Sequence, residues 1–205
     1  RTARAWEVAP EKAPRLLIEY VGNEPAPGFQ RTSIEVRLAG SGNDVEEQTD
    51  GILLASSTDL ELVTDTGSQV VGLRFANVQI PAGAEIVRAH IQFTVDETSS
   101  GATTVILRGE ATGNAAPFST SRFDVSRRLM TLADVVWTIE PWSVVGEGSA
   151  AQRTPDLSAI VQEVVDTSGF RAGNAIVLVV TGSGRRTAAC VPPVLRPASA
   201  PHPCD

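Results

Sequence analysis

The sequence is poor in the residues that most often serve as metal ligands, nucleophiles and stacking platforms. Its 205 residues include two cysteines, two histidines, one tyrosine, three tryptophans and six phenylalanines. Two cysteines are too few for a structural zinc site, which usually takes four ligands. Cys190 and Cys204 both lie in the proline-rich tail. We expect them to form a local disulfide if the protein is exported and to remain two thiols otherwise.

Positive charge and long apolar runs are also scarce. The net charge is −7, whereas a nucleic-acid-binding surface has to be basic to match the phosphate backbone. No apolar run approaches the ~20 residues that cross a bilayer as a helix. We therefore predict no nucleic-acid partner and no membrane span. Because the chain begins with Arg1 and shows no signal peptide, it is either a mature processed product or an excerpt of a longer protein.

The motifs of the common enzyme classes are missing as well. The sequence has no Walker loop, no dinucleotide fingerprint and no G-x-S-x-G nucleophile elbow. Gly182-Ser183-Gly184 lacks the elbow spacing, and neither His90 in a predicted strand nor His202 in the tail is a credible base. Asp96 and Glu97 are adjacent in the chain, so their side chains diverge and do not suit paired acid–base work. We predict that the protein is not an enzyme.

Period-two alternation and β-branched residues predict that most of the chain forms strands. The predicted strands cover residues 16–20, 34–38, 52–55, 60–62, 70–75, 86–95, 104–109, 135–142 and 176–181. A helix is predicted with Thr154 as its N-cap, Pro155 at the first helical position and Gly169 after its end. The predicted fold is all-β: a jelly-roll-like β-sandwich with one short α-helix and an N-terminal arm strand.

The front of the chain reads as the end of a module. Arg1-Thr2-Ala3 recurs as Arg186-Thr187-Ala188. A strand-like segment at 13–20 follows the first copy, but five prolines among the last fifteen residues follow the second, and proline cannot donate to a regular ladder. We predict an arm at 1–20, a linker at 21–33, a sandwich at 34–188 and a tail at 189–205. A shift of reading frame near residue 189 would also produce such a tail.

An arm of this kind has two destinations. It completes the sheet of its own sandwich, or it inserts into the sheet of a neighbouring copy, because an open sheet edge is a liability. In either case the predicted contact residues are Leu16, Leu17, Ile18 and Tyr20.

Acidic residues cluster in the segment after the predicted linker. Asp44 and Glu46 follow a glycine-rich loop, and Asp96 ends a predicted strand. Calcium takes six to eight oxygen ligands and often finds them in such turns. We name Asp44, Glu46 and Asp96 as candidate Ca²⁺ ligands, although the D-x-D-x-D-G series of a dedicated loop is absent. The alternative is a solvated acidic surface.

Several ordered segments resemble DNRLRE-type modules, which are secreted β-sandwich domains partly grouped with carbohydrate-binding modules. The segments are VGLRF (71–75), VQIPAGA (78–84), AHIQF (89–93), Trp137 with Trp142, TPDL (154–157), GNA (173–175) and GSG (182–184). The resemblance covers about residues 34–188, and residues 2–20 match the end of the family. It implies an extracellular or cell-surface location and sugar binding. The chain departs from the family in its tail, where the final strand is missing.

Trp137 and Trp142 are candidate ligand-binding residues, because the faces of aromatic rings suit sugar rings. Large aromatic side chains also pack in protein cores, and this alternative stays open. Two function classes follow from the sequence. The first is a non-catalytic extracellular module that assembles head to tail with other copies of itself by strand donation, which yields a fibre. The second is a carbohydrate-binding module of a larger secreted protein, with polysaccharide as its partner.

Overall fold

The computed structural model describes residues 10–22, 30–40, 42–55 and 59–190, and these residues form an all-β protein with one α-helix. The helix, α1, spans Ser158–Val165, and two short 3₁₀ turns cover Pro10–Lys12 and Ala150–Gln152. No helix of the described part is long and apolar enough to cross a membrane. The strands are β1 (Arg15–Val21), β2 (Arg31–Arg37), β3 (Asp44–Gln48), β4 (Leu53–Leu54), β5 (Asp59–Glu61), β6 (Gln69–Val78), β7 (Glu85–Gln92), β8 (Val95–Glu97), β9 (Thr104–Glu110), β10 (Met130–Thr138), β11 (Asn174–Ser183) and β12 (Thr187–Ala189).

The strands form two layers around one main core. One layer is a six-stranded sheet in the order β10-β9-β11-β6-β3-β4. The other layer consists of two three-stranded sheets, β2-β1-β7 and β5-β12-β8. Only Phe93 and Thr94 separate β7 from β8. Apolar residues of both layers share the core, including Leu16, Ile91 and Phe75. The sequence-based prediction of an all-β sandwich with one short helix is confirmed.

Strands β1 and β12 lie end to end in one row of this second layer. β1 pairs antiparallel with β7, and β12 pairs antiparallel with β8. The N–H groups of Ala89, Ile91 and Phe93 donate to the segment at 152–156, which lies along one edge of β7. Backbone polar groups of successive residues in a strand point to opposite edges, so Thr94 uses the other edge, where its carbonyl accepts the N–H of Ala189 at 2.9 Å. β1 and β12 therefore pair with this same edge of β7 and β8.

The edge of β7 that faces away from β1 is closed by two side chains that precede α1 and by one side chain of α1 itself. Thr154 Oγ1 accepts the N–H of Ile91, and Asp156 Oδ1 accepts the N–H of Ala89, both at 3.0 Å. Gln162 Oε1 accepts the N–H of Ile86 at 2.7 Å. The helix therefore begins three residues later than the sequence predicts, at Ser158 and not at Pro155, because Thr154 accepts an N–H of β7 and does not act as the helix N-cap. Filling these edge positions blocks unwanted strand addition.

A second, smaller core lies on the outer face of the six-stranded sheet. Val177 and Val179 of β11 and Val45 of β3 pack there against residues of the segment between β9 and β10, among them Val125 and Phe118. The apolar run at 176–180 reads in sequence as a buried strand, and the structure buries it from both sides. This packing explains why β11 has no polar face.

Candidate functional site

The strand slot between β2 and β7 is the candidate functional site, and β1 of the same chain fills it. Leu16, Ile18 and Tyr20 point into the core, with 0%, 2% and 8% of their surface exposed. The hydroxyl of Tyr20 donates to the carbonyl of Gln79 at 3.4 Å. Leu17 is half-buried on the outer face of the sheet. Of the four predicted contact residues, three therefore face the core, and Leu17 faces outward because side chains alternate along a strand.

β1 pairs with β2 on one edge and with β7 on the other, in both cases from Arg15 to Val21. Ile18 lies opposite Ile34 of β2 and Ala89 of β7. Two ion pairs, Arg15–Glu35 and Arg31–Glu19, lie on the outer face of the sheet, each with an N–O distance of 3.1 Å. Exposed ion pairs of this kind contribute about 0–1 kcal/mol each. The inward apolar side chains and the backbone ladder therefore provide most of the stabilisation of the filled slot.

Arg186 anchors the strand that lies end to end with β1. Its guanidinium is fully buried and donates to the carbonyls of Ile139 at 2.8 Å, Glu140 at 3.0 Å and Gly101 at 2.9 Å. It also donates to Thr103 Oγ1 at 2.7 Å. Burial lowers the pKa of Arg186, but an arginine keeps its charge in proteins. Arg186 thus connects the start of β12 to the loop between β8 and β9 and to the loop that follows β10. In the sequence, only the repeated Arg-Thr-Ala motif drew attention to this residue.

The residues of the first copy of that motif, Arg1-Thr2-Ala3, lie outside the described residues, as does Cys204. The predicted disulfide between Cys190 and Cys204 stays a prediction. Cys190 itself is buried, and burial, followed by the nearby carboxylates of Asp44 and Asp59, raises the pKa of its thiol to about 12. The thiol form is therefore the stable one near neutral pH.

The acidic segment after the predicted linker is a buried strand. Glu46 and Glu47 of β3 are 3% and 2% exposed, so the alternative of a solvated surface is wrong for them. Glu47 accepts the N–H of Val125 at 2.8 Å and thereby fastens the loop over the outer core. Carboxylates that accept backbone N–H groups replace the water that they lose on burial. Alternation cannot reveal this, because four of the five residues of β3 are polar and Val45 is its one apolar residue.

Glu46 and Glu61 form a carboxyl pair between the two layers of the sandwich. The N–H of Glu61 donates to Glu46 Oε1 at 2.7 Å, and both side chains are nearly inaccessible to solvent. Burial, followed by the hydrogen bond with the Glu61 side chain, raises the pKa of Glu46 to about 8, although the hydrogen bond from the Glu61 N–H acts in the opposite direction. Glu46 is therefore mainly protonated at neutral pH and shares its proton with Glu61.

These positions do not make a preformed calcium site. Asp44 and Glu46 line one small cavity beside Cys190. Asp96 is half-buried, and its burial, followed by the charges of Asp59 and Glu97, raises the pKa of its carboxyl group. Across the described residues, no three acidic, histidine or cysteine side chains are placed to hold a metal ion. A protonated Glu46 is also a poor ligand for a hard cation. The geometry does not fit the ion, and calcium binding stays a prediction to be tested by titration.

Trp137 and Trp142 lie in the core. They are 7% and 1% exposed, and each ring packs on Phe93, with ring centroids 6.0 and 6.4 Å apart. A sugar ring needs an accessible aromatic face, so neither indole can serve as a stacking platform in this conformation. The core-packing alternative is what the structure shows.

The Gly182-Ser183-Gly184 segment has a packing role. Gly182 has φ of 141°, and a Cβ there would lie 2.3 Å from the carbonyl oxygen of Thr104. Glycine is the residue that tolerates both this φ and such a close approach. The segment therefore lets β11 run tightly along β9 to its end.

Comparison with protein-family models, curated proteins and solved structures found no significant match for this chain. The class that the structure itself defines is an all-β sandwich whose second layer is completed by a strand from the front of the chain.

Proposed function

We propose that the protein is a non-catalytic extracellular structural module that assembles head to tail by donating β1 to a neighbouring copy. One observation carries the proposal: β1 lies end to end with β12, in the place of the closing strand that a tail with five prolines cannot supply. The resemblance to DNRLRE-type modules, in which that strand comes last, supports the same reading and the extracellular location.

The contacts of β1 with its slot can form within one chain or between two. Its own β1 fills the slot in the isolated chain. Residues 22–30 connect β1 to β2, and such a segment reaches about 30 Å when extended. A donated β1 would make the same ladder and bury the same side chains in a neighbour. Because that contact is heterologous and does not close, repeated donation gives a fibre.

A disulfide staple separates the two arrangements. Leu17 and His90 lie directly opposite each other on β1 and β7, so Leu17→Cys with His90→Cys places two thiols within bonding reach. The native Cys190 and Cys204 are changed to serine in this background, and Leu17→Cys alone is the matched control. After oxidation at high concentration, donation gives a ladder of covalent oligomers on a denaturing gel. A product of 21.6 kDa alone, at every concentration tested, would contradict donation.

The second candidate is a carbohydrate-binding module, supported by the same resemblance and by a groove on the outer face of the β2-β1-β7 sheet that combines apolar and charged side chains. Leu17, Glu19 and His90 lie along this groove. Retention on a glycan array, measured with and without calcium, tests this function. No retention on any polysaccharide would contradict it.

A further inference from the structure

The Arg-Thr-Ala motif occurs twice in the chain, and the structure describes the surroundings of its second copy. Arg186, Thr187 and Ala188 are each 0% exposed. Thr187 and Ala188 belong to β12, which lies between β5 and β8, and Arg186 directly precedes it. We call the position between β5 and β8, together with the acceptors around Arg186, the motif slot. The motif slot encloses all three side chains of the motif.

The acceptors around Arg186 belong mostly to other segments of the chain. Five atoms accept hydrogen bonds from its guanidinium, and one of them, the carbonyl oxygen of Arg185, lies next to it in sequence. The other four are the carbonyl oxygens of Gly101, Ile139 and Glu140 and the hydroxyl of Thr103. A guanidinium matches this set because it presents its N–H donors in a planar fork. These acceptors therefore suit any arginine that enters in the same register.

The other two positions of the motif slot are specific as well. Thr187 Oγ1 donates to Glu97 Oε2 of β8 at 3.4 Å. Ala188 packs in the main core, and a well-packed core resists a larger side chain. The motif slot thus takes a guanidinium, a hydroxyl and a small apolar side chain in that order. Residues 1–3 of the chain have the same order.

The row formed by β12 and β1 has the order of the front segment. Both strands run antiparallel to the stretch formed by β7 and β8, so the motif comes first and β1 follows in the same direction. Ala188 pairs with Val95 and Arg15 pairs with Gln92, which places the two positions about 10 Å apart along the row. Residues 4–14 can span more than about 30 Å when extended. One front segment is therefore long enough to fill the motif slot and the position of β1 together.

The charges of the front segment complement those around the motif slot. Residues 1–4 include two arginines and no acidic residue, whereas the corresponding residues 186–189 include one arginine. The two strands that flank the motif slot carry four acidic residues: Asp59, Glu61, Asp96 and Glu97. Opposite charges guide a segment to its site, and this attraction weakens as salt rises. The first copy of the motif is therefore better matched in charge to the motif slot than the copy that fills it.

We propose that the motif slot binds residues 1–3 of a second copy of this chain, which displace β12 when β1 is donated. This inference rests on the proposed head-to-tail assembly and extends the donated segment to residues 1–21, with Arg1 in the place of Arg186. β12 has three residues, and the incoming motif restores the hydrogen bonds that its departure breaks. The donated β1 holds the motif at high effective concentration beside the slot, which offsets the same advantage of β12.

A second disulfide staple tests the exchange in the full chain. Thr187 lies opposite Glu97, so Thr2 lies opposite Glu97 when it takes the place of Thr187. Thr2→Cys is combined with Glu97→Cys in the background without native cysteines. After oxidation at high concentration we expect a ladder of covalent oligomers on a denaturing gel, because directly opposite residues of paired strands are within bonding reach.

The matched control replaces Glu97→Cys by Glu85→Cys. Glu85 is also an exposed acidic residue of the row, but it lies opposite Val21 at the other end, so its pairing with Thr2→Cys should give no ladder. In the Thr2→Cys, Glu97→Cys protein, Arg1→Met should reduce the ladder about tenfold, because the incoming motif loses the hydrogen bonds of its guanidinium. Arg171→Met, at an exposed arginine before β11, should leave the ladder unchanged.

Three results would overturn the inference: a product of 21.6 kDa alone, equal ladders from the Glu97 and Glu85 proteins, or a ladder that Arg1→Met does not reduce. If the staple between Leu17 and His90 gives its ladder while the staple between Thr2 and Glu97 gives none, the motif inference fails and strand donation stands. If neither staple gives a ladder, both fail.

Discussion

Replacing Glu46 by glutamine tests the carboxyl pair between the layers. In the folded protein, the raised pKa of about 8 means that Glu46 holds a proton, which it releases near pH 4.5 in the unfolded chain. Between these two values the folded state binds more protons than the unfolded state. The free energy of unfolding therefore falls as pH rises through this window and levels off above about pH 8.

The size of the effect follows from linkage. Each pH unit inside the window costs at most about 1.4 kcal/mol, so the limit between pH 5 and pH 8 is about 4 kcal/mol. Because the proton is shared with Glu61 and the pair titrates as a unit, we expect about 2 kcal/mol. The glutamine in Glu46→Gln can keep both contacts: its carbonyl oxygen accepts the N–H of Glu61, and its amide donates to the Glu61 carboxylate.

The assay is urea unfolding followed by tryptophan fluorescence at several pH values from 5 to 8.5. We expect Glu46→Gln to match the native protein at pH 5 and to exceed it by about 2 kcal/mol at pH 8. Titrating groups that do not interact with Glu46, among them His90 and Asp96, contribute equally to both proteins and cancel in the difference, whereas Glu61 titrates together with Glu46 and is part of the measured effect. Glu35→Gln, on the exposed outer face, is the control. Parallel stability profiles for Glu46→Gln and the native protein would refute the assigned protonation.

Four further outcomes follow from the packing. Ile18→Asp should destabilise the fold by several kcal/mol because it buries an unpaired charge, whereas Leu17→Ser on the same strand should cost about 1 kcal/mol or less; equal urea midpoints would contradict the assigned faces. Arg186→Met should cost about 3–5 kcal/mol by leaving buried acceptors unpaired, with Arg186→Lys restoring only part of it. Gly182→Ala should lower the melting temperature clearly, and an unchanged melt would show that β9 and β11 can separate. Calcium binding is tested by melts with and without Ca²⁺: a rise that Glu46→Gln abolishes supports it, and an unchanged midpoint contradicts it.

Local pattern predicted most of the strands. The alternating segments at 70–75 and 104–109 fall within β6 and β9, because side-chain periodicity is a property of the chain itself. β3 was missed, since its Asp-Val-Glu-Glu-Gln sequence has neither alternation nor β-branched enrichment. β12 was missed because it has three residues and takes its stability from the neighbours β5 and β8.

The helix start was misplaced for a related reason. Thr154, Pro155 and Asp156 form a good local N-terminal signal. In the folded protein, Thr154 and Asp156 instead accept N–H groups of β7, 63 and 67 residues earlier in the chain. A long-range partner therefore overrode a local preference, and no window of sequence around the helix contains that partner.

The sequence by itself determined the class of the fold and the strand character of the front segment, because alternation, proline content and the repeated Arg-Thr-Ala motif are properties of the chain. Only the tertiary structure decided which charges are buried. It placed Glu46 against Glu61, enclosed Arg186 among carbonyls and turned Trp137 into the core. Burial depends on what packs over a side chain from distant segments, and that information is absent from any local pattern.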